Sequence, residues 1–246
     1  MATPSLLLLL ADGRFPAGAH AHSGGLEAAV AAGRVTDLTS LEAFLAGRLA
    51  TAGLVGAAFA AAAHRAAVAE TAGTTARPGR RSDAPAESAA RSGALARLDA
   101  ELDARTAAPA LRAVSRRQGR ALLRAGRTIW PDAPFADLPA TPGGAHQPLV
   151  LGLLCAAAGL SRVETATIAA YGTLTGAASA GVRLLGLDPY QVQALLVDLA
   201  DACDGTAADA AQAADDPPER LPAAAAPLAD IHAEIHATWE VRLFAS

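Results

Sequence analysis

The stretch LEAFLAGRLATAGLVGAAFAAAAHRAAVA, residues 41–69, decides the fold. It is dominated by alanine, the strongest helix former and a small core filler. Thr39-x-x-Glu42 in front of it has the spacing of a capping box. The segment therefore reads as one long helix, or as two with a break near Gly53. Working outward, the same bias holds for the whole chain. Hydrophobic residues make up 52% of the 246 residues but aromatics only 4%. The β-branched and aromatic runs that strands prefer are scarce, so the composition favours helices packed closely on one another.

Towards the N-terminus, residues 3–11 form a short apolar helix, and Ser23 is placed to cap a helix over 24–32 that Gly33 closes. Beyond the central stretch, residues 71–92 are rich in Ala, Gly, Pro, Ser and Arg and lack large apolar side chains, which predicts a flexible loop. Leu95, Leu98 and Leu102 mark a helix over 93–104, and a second runs from Pro109 to Arg127 with Leu111, Val114, Leu122 and Leu123 inward. Gly119 in its middle costs helix stability relative to Ala and marks the close approach of another backbone. Arg116, Arg117, Arg120, Arg124 and Arg127 read as a solvated face or as a docking surface for an acidic partner. A Pro- and Gly-rich loop occupies 131–144. HQPLVLGLLCAAAGL, residues 146–160, reads as a buried helix. Ser161-x-x-Glu164 caps a helix reaching Leu185, and Asp188-Pro189 starts one over 189–203. Residues 205–226 carry no clear pattern, and the last helix spans about 227–243. The sum is a single-domain, all-α bundle of roughly eight to ten helices over residues 1–246, ending in a segment, 227–246, that reads as partner-binding.

Charge and chemistry narrow the function classes. The net charge of −4 with scattered basic residues argues against nucleic acid. All 20 basic residues are arginine. Without lysine the chain is neither a standard P-loop NTPase nor a Schiff-base enzyme. Cys155 and Cys203 lie in apolar helical contexts and read as reduced core residues, which fits a reducing compartment. The apolar run Leu6–Ala11 lacks a basic flank and is too short for a signal sequence, and no segment reads as a membrane span. The expectation is a soluble, cytoplasmic protein.

FPAGAHAHSGGLEAAV, residues 15–30, is the stretch most like a site. His20-x-His22 could meet a metal only on an extended or turned backbone, and no neighbouring acid or thiol completes a set. Ser23 beside His22 suggests a nucleophile and base, although adjacent side chains rarely face each other. His232 and His236, four apart, share a helix face that suits a metal, but the glutamate that a zincin places after the first histidine is absent. Packing or interface roles compete with each of these. No constellation stands out as catalytic, and no cofactor or resident metal is expected, which favours a protein that works by binding.

Four segments resemble the urease accessory protein UreF family. LLLLADGRFPAGAHAHSGGLEAAV matches its N-terminal signature at Leu9 or Leu10, Asp12, Pro16, Gly18, His22, Ser23, Gly25, Leu26 and Glu27. SRRQGRALL is similar to its Gly-Arg helix, HQPLVLGLLCAAAGL to its H-x-x-x-x-G helix, and HATWEVRLFAS to its C-terminal ending. His20 stands where the family usually has Tyr or Phe, and GLDP, 186–189, replaces a Pro-Leu-Gly-Gln turn. The resemblance implies an all-α homodimer without enzyme activity. It implies a component of nickel insertion that bridges a nickel-carrying GTPase and a scaffold docking on apo-urease, with nickel passed through rather than held. A lysine-free chain needs that GTPase as a partner. On this reading His20, His22, Ser23 and Glu27 belong to the N-terminal interface or metal route, and His236, Arg242, Leu243, Phe244 and Ser246 to partner binding. The competing readings are a metallochaperone that itself holds nickel and a hydrolase built on Ser23 and His22.

Overall fold

In the computed structural model, which describes residues 4–16, 22–68 and 84–244, the chain forms ten helices and no strand among those residues. They are α1 (Pro4–Ala11), α2 (Leu26–Ala31), α3 (Leu38–Val68), α4 (Ala84–Arg105), α5 (Pro109–Ile129), α6 (Gln147–Ala157), α7 (Arg162–Leu185), α8 (Pro189–Asp198), α9 (Ala200–Ala213) and α10 (Pro227–Ala237). The all-α expectation holds.

The central stretch is one helix, α3, with a change of pitch where the break was expected. Residues Leu49–Gly53 adopt a π-turn, and α-geometry resumes at Leu54. Beyond that turn, Ala57–Ala63 are all buried together with Phe59. This half of α3 is the axis of the bundle, packed against α6, α7 and α9. By length and composition α3 could also cross a bilayer; here its apolar half is the core. Its start differs from expectation. Asp37 caps it, accepting from the Ser40 N–H at 2.8 Å while Ser40 Oγ accepts from the Asp37 N–H. Asp37 closes this reciprocal cap two residues earlier than Thr39-x-x-Glu42 would.

Small residues let these helices approach. A Cβ on Gly152 of α6 would collide with the Ala60 carbonyl and lie 2.7 Å from the His64 nitrogen. A Cβ on Gly119 would collide with the Ala145 carbonyl oxygen, the backbone contact expected from a mid-helix glycine. Cys155 and Cys203 are buried and free, and burial pushes their thiols up to about 12 and about 11. Both stay protonated in the core.

Several boundaries move. Helix α4 begins at Ala84, nine residues before the expected start, so 84–92 of the expected loop are helical; the rest of that loop and residues 69–70 lie outside the described residues. The extra turns are held by Asp137, which accepts from Ser88 Oγ at 2.6 Å and pairs with Arg91. The expected 189–203 helix is instead two helices meeting at Leu199, and α9 carries order on to Ala213. Cys203 and alanines 207, 210 and 211 form its buried face, too small to register as a core pattern in the sequence. Helix α10 stops at Ala237, and residues 238–244 fold back as a tail. The caps at Ser161 and Asp188 are as expected.

Arg116 leaves the expected solvated face. It pairs with Asp99 at 3.0 Å and Asp103 at 2.7 Å and donates to the Gly144 carbonyl at 2.6 Å. Arg117, Arg120, Arg124 and Arg127 stay exposed. His146, fully buried at the start of α6, donates its backbone N–H to Asp99 and its Nε2–H to Asp103, 3.1 Å away. Burial first, and then the Arg116 charge, hold its ring below the usual 6.5, against the pull of Asp99 and Asp103. Burial alone would raise Asp103, but its bonds to Arg116 and His146 outweigh that and lower it.

Both shifts act in one direction. A histidine kept neutral in the fold takes up a proton on unfolding, so stability falls as pH drops below about 6.5. A carboxylate depressed in the fold loses its contribution as pH falls through and below about 4. Urea midpoints are expected to be flat above about pH 7 and to fall in two stages on acidification. His146→Asn should shrink the first stage while lowering the plateau, leaving the share of His64, whose ring burial also holds below the usual 6.5. An unchanged slope between about pH 7 and about pH 5 would show that His146 does not carry it.

Candidate functional site

Helix α2 meets the tail that follows α10. Gly24 and Gly25 both have positive φ, at 61° and 89°, a region L side chains rarely adopt. They turn the backbone sharply into the two-turn helix α2. Ser23 is fully buried, and its Oγ accepts the Glu27 N–H at 3.3 Å. It serves the first turn of α2 as a cap, from a position two residues before the N-cap residue, Gly25. The enclosed hydroxyl leaves the hydrolase reading without an accessible nucleophile.

Glu27 points into the gap between α2 and the tail. Its Oε1 accepts the Leu243 N–H at 2.8 Å, and its Oε2 accepts the Phe244 N–H at 2.9 Å and the His236 Nε2–H at 3.0 Å. A carboxylate accepts only, so His236 carries its proton on Nε2. Three donors compensate the desolvation of a carboxylate that is only 10% exposed. The imidazole is packed edge-on against Trp239, with ring centres 4.7 Å apart. Phe244 is buried at 5% exposure beneath the Arg183 guanidinium of α7, 4.2 Å from its ring centre.

This clasp sorts the expected site residues. Ser23, Glu27, His236 and Phe244 point inward; Ser23 caps α2, and the other three join α2 to α10 and the tail. Arg242 and Leu243 point outward, with Val241 beside them; Leu243 is 75% and Val241 84% exposed. His22 is half-buried on the wall of a large groove that His232 also borders. His20 and Ser246 lie outside the described residues. Among the described residues no three His, Cys, Asp or Glu side chains gather as a metal site requires. His236 turns to Glu27 while His232, one helical turn earlier, faces the groove, so the expected pair does not converge.

Sequence reading missed Arg48 and Arg183. Arg48 is the last α-helical residue of α3 before its π-turn, and its Nη1 donates to the Gly24 carbonyl. A Cβ on Gly24 would lie 3.0 Å from that guanidinium, so glycine there serves both the positive φ and the arginine. The Gly-Gly pair was the only signal in the sequence, and it named no partner.

A family model for UreF matches residues 35–200. The urease accessory protein UreF of Mycolicibacterium vanbaalenii is 41% identical over 246 residues, covering all of both chains. That of Mycobacterium marinum is 43% identical over the same full lengths. That of Mycobacterium tuberculosis strain H37Rv is 41% identical over 210 residues, 85% of this chain and 86% of its own.

Proposed function

The chain belongs to the UreF family, and from that premise we propose that it acts in urease maturation as a non-catalytic bridge between a nickel-carrying GTPase and a scaffold protein docked on apo-urease. Nickel is its cargo, passed on to the urease centre in a GTP-dependent step, in the cytoplasm and from a homodimer.

The observation that carries this reading is the Glu27 clasp. It holds the tail backbone at Leu243 and Phe244 while Val241, Arg242 and Leu243 face outward. An arginine flanked by aliphatic side chains on a fixed backbone is a good interface anchor, and fixing it beforehand removes part of the ordering cost of binding. The inward residues serve structure and the outward ones recognition.

Arg242→Ala removes an exposed side chain and should leave the free energy of urea unfolding within about 0.5 kcal/mol of wild type. The same change should lower the nickel content of urease about tenfold or more when the other accessory proteins are present. Nickel content at the wild-type level would remove Arg242 from the docking surface. The bridge itself is tested by passing the GTPase over immobilised scaffold. Retention only when this chain is added supports it, and equal retention without the chain overturns it.

A further inference from the structure

The groove bordered by His22 and His232 runs between α1, α3, α5, α7 and α10 and has a volume of about 1660 Å³. Small-ligand pockets typically occupy roughly 300–1,000 Å³, so this one has room for a polypeptide segment. Its wall is mostly apolar. Gly47 of α3 and Gly172 of α7 have no atom within 4 Å of where a Cβ would stand, so an incoming backbone can come close on both sides.

The charge along the groove opposes that of the chain. Five arginines and two aspartates line it, in a protein of net charge −4. Arg14 is paired with Asp12, and Arg105 is held by Glu101 and backbone carbonyls. Arg34 and Arg48 have no carboxylate partner among the described residues. Arg34 is exposed at the rim. Arg48 lies on the wall, and its Nε is shut off from solvent with no hydrogen-bond partner. Burial alone pushes this guanidinium down to about 10, since no carboxylate offsets it. Cations in such surroundings are stabilised by a charge-assisted bond to an anion. The π-turn that begins right after Arg48 belongs to a class often found at functional sites.

We propose that the groove is a docking site for an acidic amphipathic helix of a partner protein, with Arg48 receiving one of its carboxylates and Arg34 a second at the rim. The apolar side of the helix covers the groove wall, and its glutamates or aspartates face the two arginines. This inference is separate from the tail of residues 238–244 and stands or falls without the bridging role.

The test uses the full-length chain and two labelled helical peptides. Both carry leucines at i, i+3, i+4 and i+7; one has glutamates on the flanking face and the other glutamines. The glutamate peptide is expected to bind at least about tenfold more tightly, and Arg34→Gln to cut that preference severalfold. Arg48 also holds Gly24, so it is read in the unaltered protein. Phenylglyoxal modification of Arg48, followed by mass spectrometry, should be blocked by the glutamate peptide and not by the glutamine peptide. Equal affinity of the two peptides, binding of neither at millimolar concentration, or unprotected Arg48 would overturn the proposal. So would full displacement of the glutamate peptide by acetate at constant ionic strength, which marks a small-anion site. Displacement by unlabelled chain would instead make a second copy the occupant, and would overturn it too.

Discussion

Replacing Glu27 by glutamine is expected to free the C-terminal tail and destabilise the fold by about 3 kcal/mol. The carboxylate accepts three N–H groups, from Leu243, Phe244 and His236. An amide presents one oxygen and one NH2, so at least one buried donor would face another donor. Each buried polar group left unsatisfied costs about 1–3 kcal/mol, and the remaining bonds lose their charge assistance. The signature is local as well as global. Amide hydrogens of Leu243 and Phe244 should exchange at near the unfolded rate, and carboxypeptidase should trim the tail of the variant but not of the wild type. Urease nickel should fall together with Arg242→Ala, because an unclasped tail presents Arg242 on no fixed backbone. A tail equally protected in both proteins would mean that the Phe244 ring beneath Arg183, and not Glu27, holds it down.

The second large effect reverses a common rule. Alanine is favoured over glycine in a helix by up to ~1 kcal/mol, yet Gly119→Ala should cost about 3 kcal/mol. The added methyl meets the Ala145 carbonyl oxygen, and the α5 and 145–147 backbones have no flexible side chain to yield. Gly93→Ala is the matching comparison. Gly93 is also helical, but it is exposed and nothing lies within 4 Å of its Cβ position. That change should stabilise by up to ~1 kcal/mol. Urea midpoints moving in opposite directions would establish that backbone approach, not helix propensity, governs Gly119. Two shifts of the same sign would show that α5 moves aside.

What the sequence revealed depended on how local the physics was. The all-α class followed from alanine content, and the caps at Ser161 and Asp188 from residues a few positions apart. The backbone approach at Gly119 was legible because a mid-helix glycine has few other reasons. The start of α4 was not, because Ser88, Arg91 and Ser92 are ordered by Asp137, more than forty residues away. Helix α9 buries only small side chains plus Cys203, which leaves no period to read. At the site, the motifs around Glu27 and Phe244 could be recognised separately. That one would act as acceptor for the other's backbone could not, since no local rule pairs residues 217 positions apart.

That separation sets an order of events during synthesis. Glu27 leaves the ribosome early and waits, desolvated by no partner, until Leu243 and Phe244 emerge. Closing so long a loop late is entropically demanding, and it happens only in a chain translated past Phe244. A product truncated before Leu243 would carry every helix of the bundle and still lack the clasp. The clasp thereby reports in the shape of the protein that translation has passed Phe244, and a copy cut short of Leu243 would offer a loose segment where the longer one offers a fixed surface.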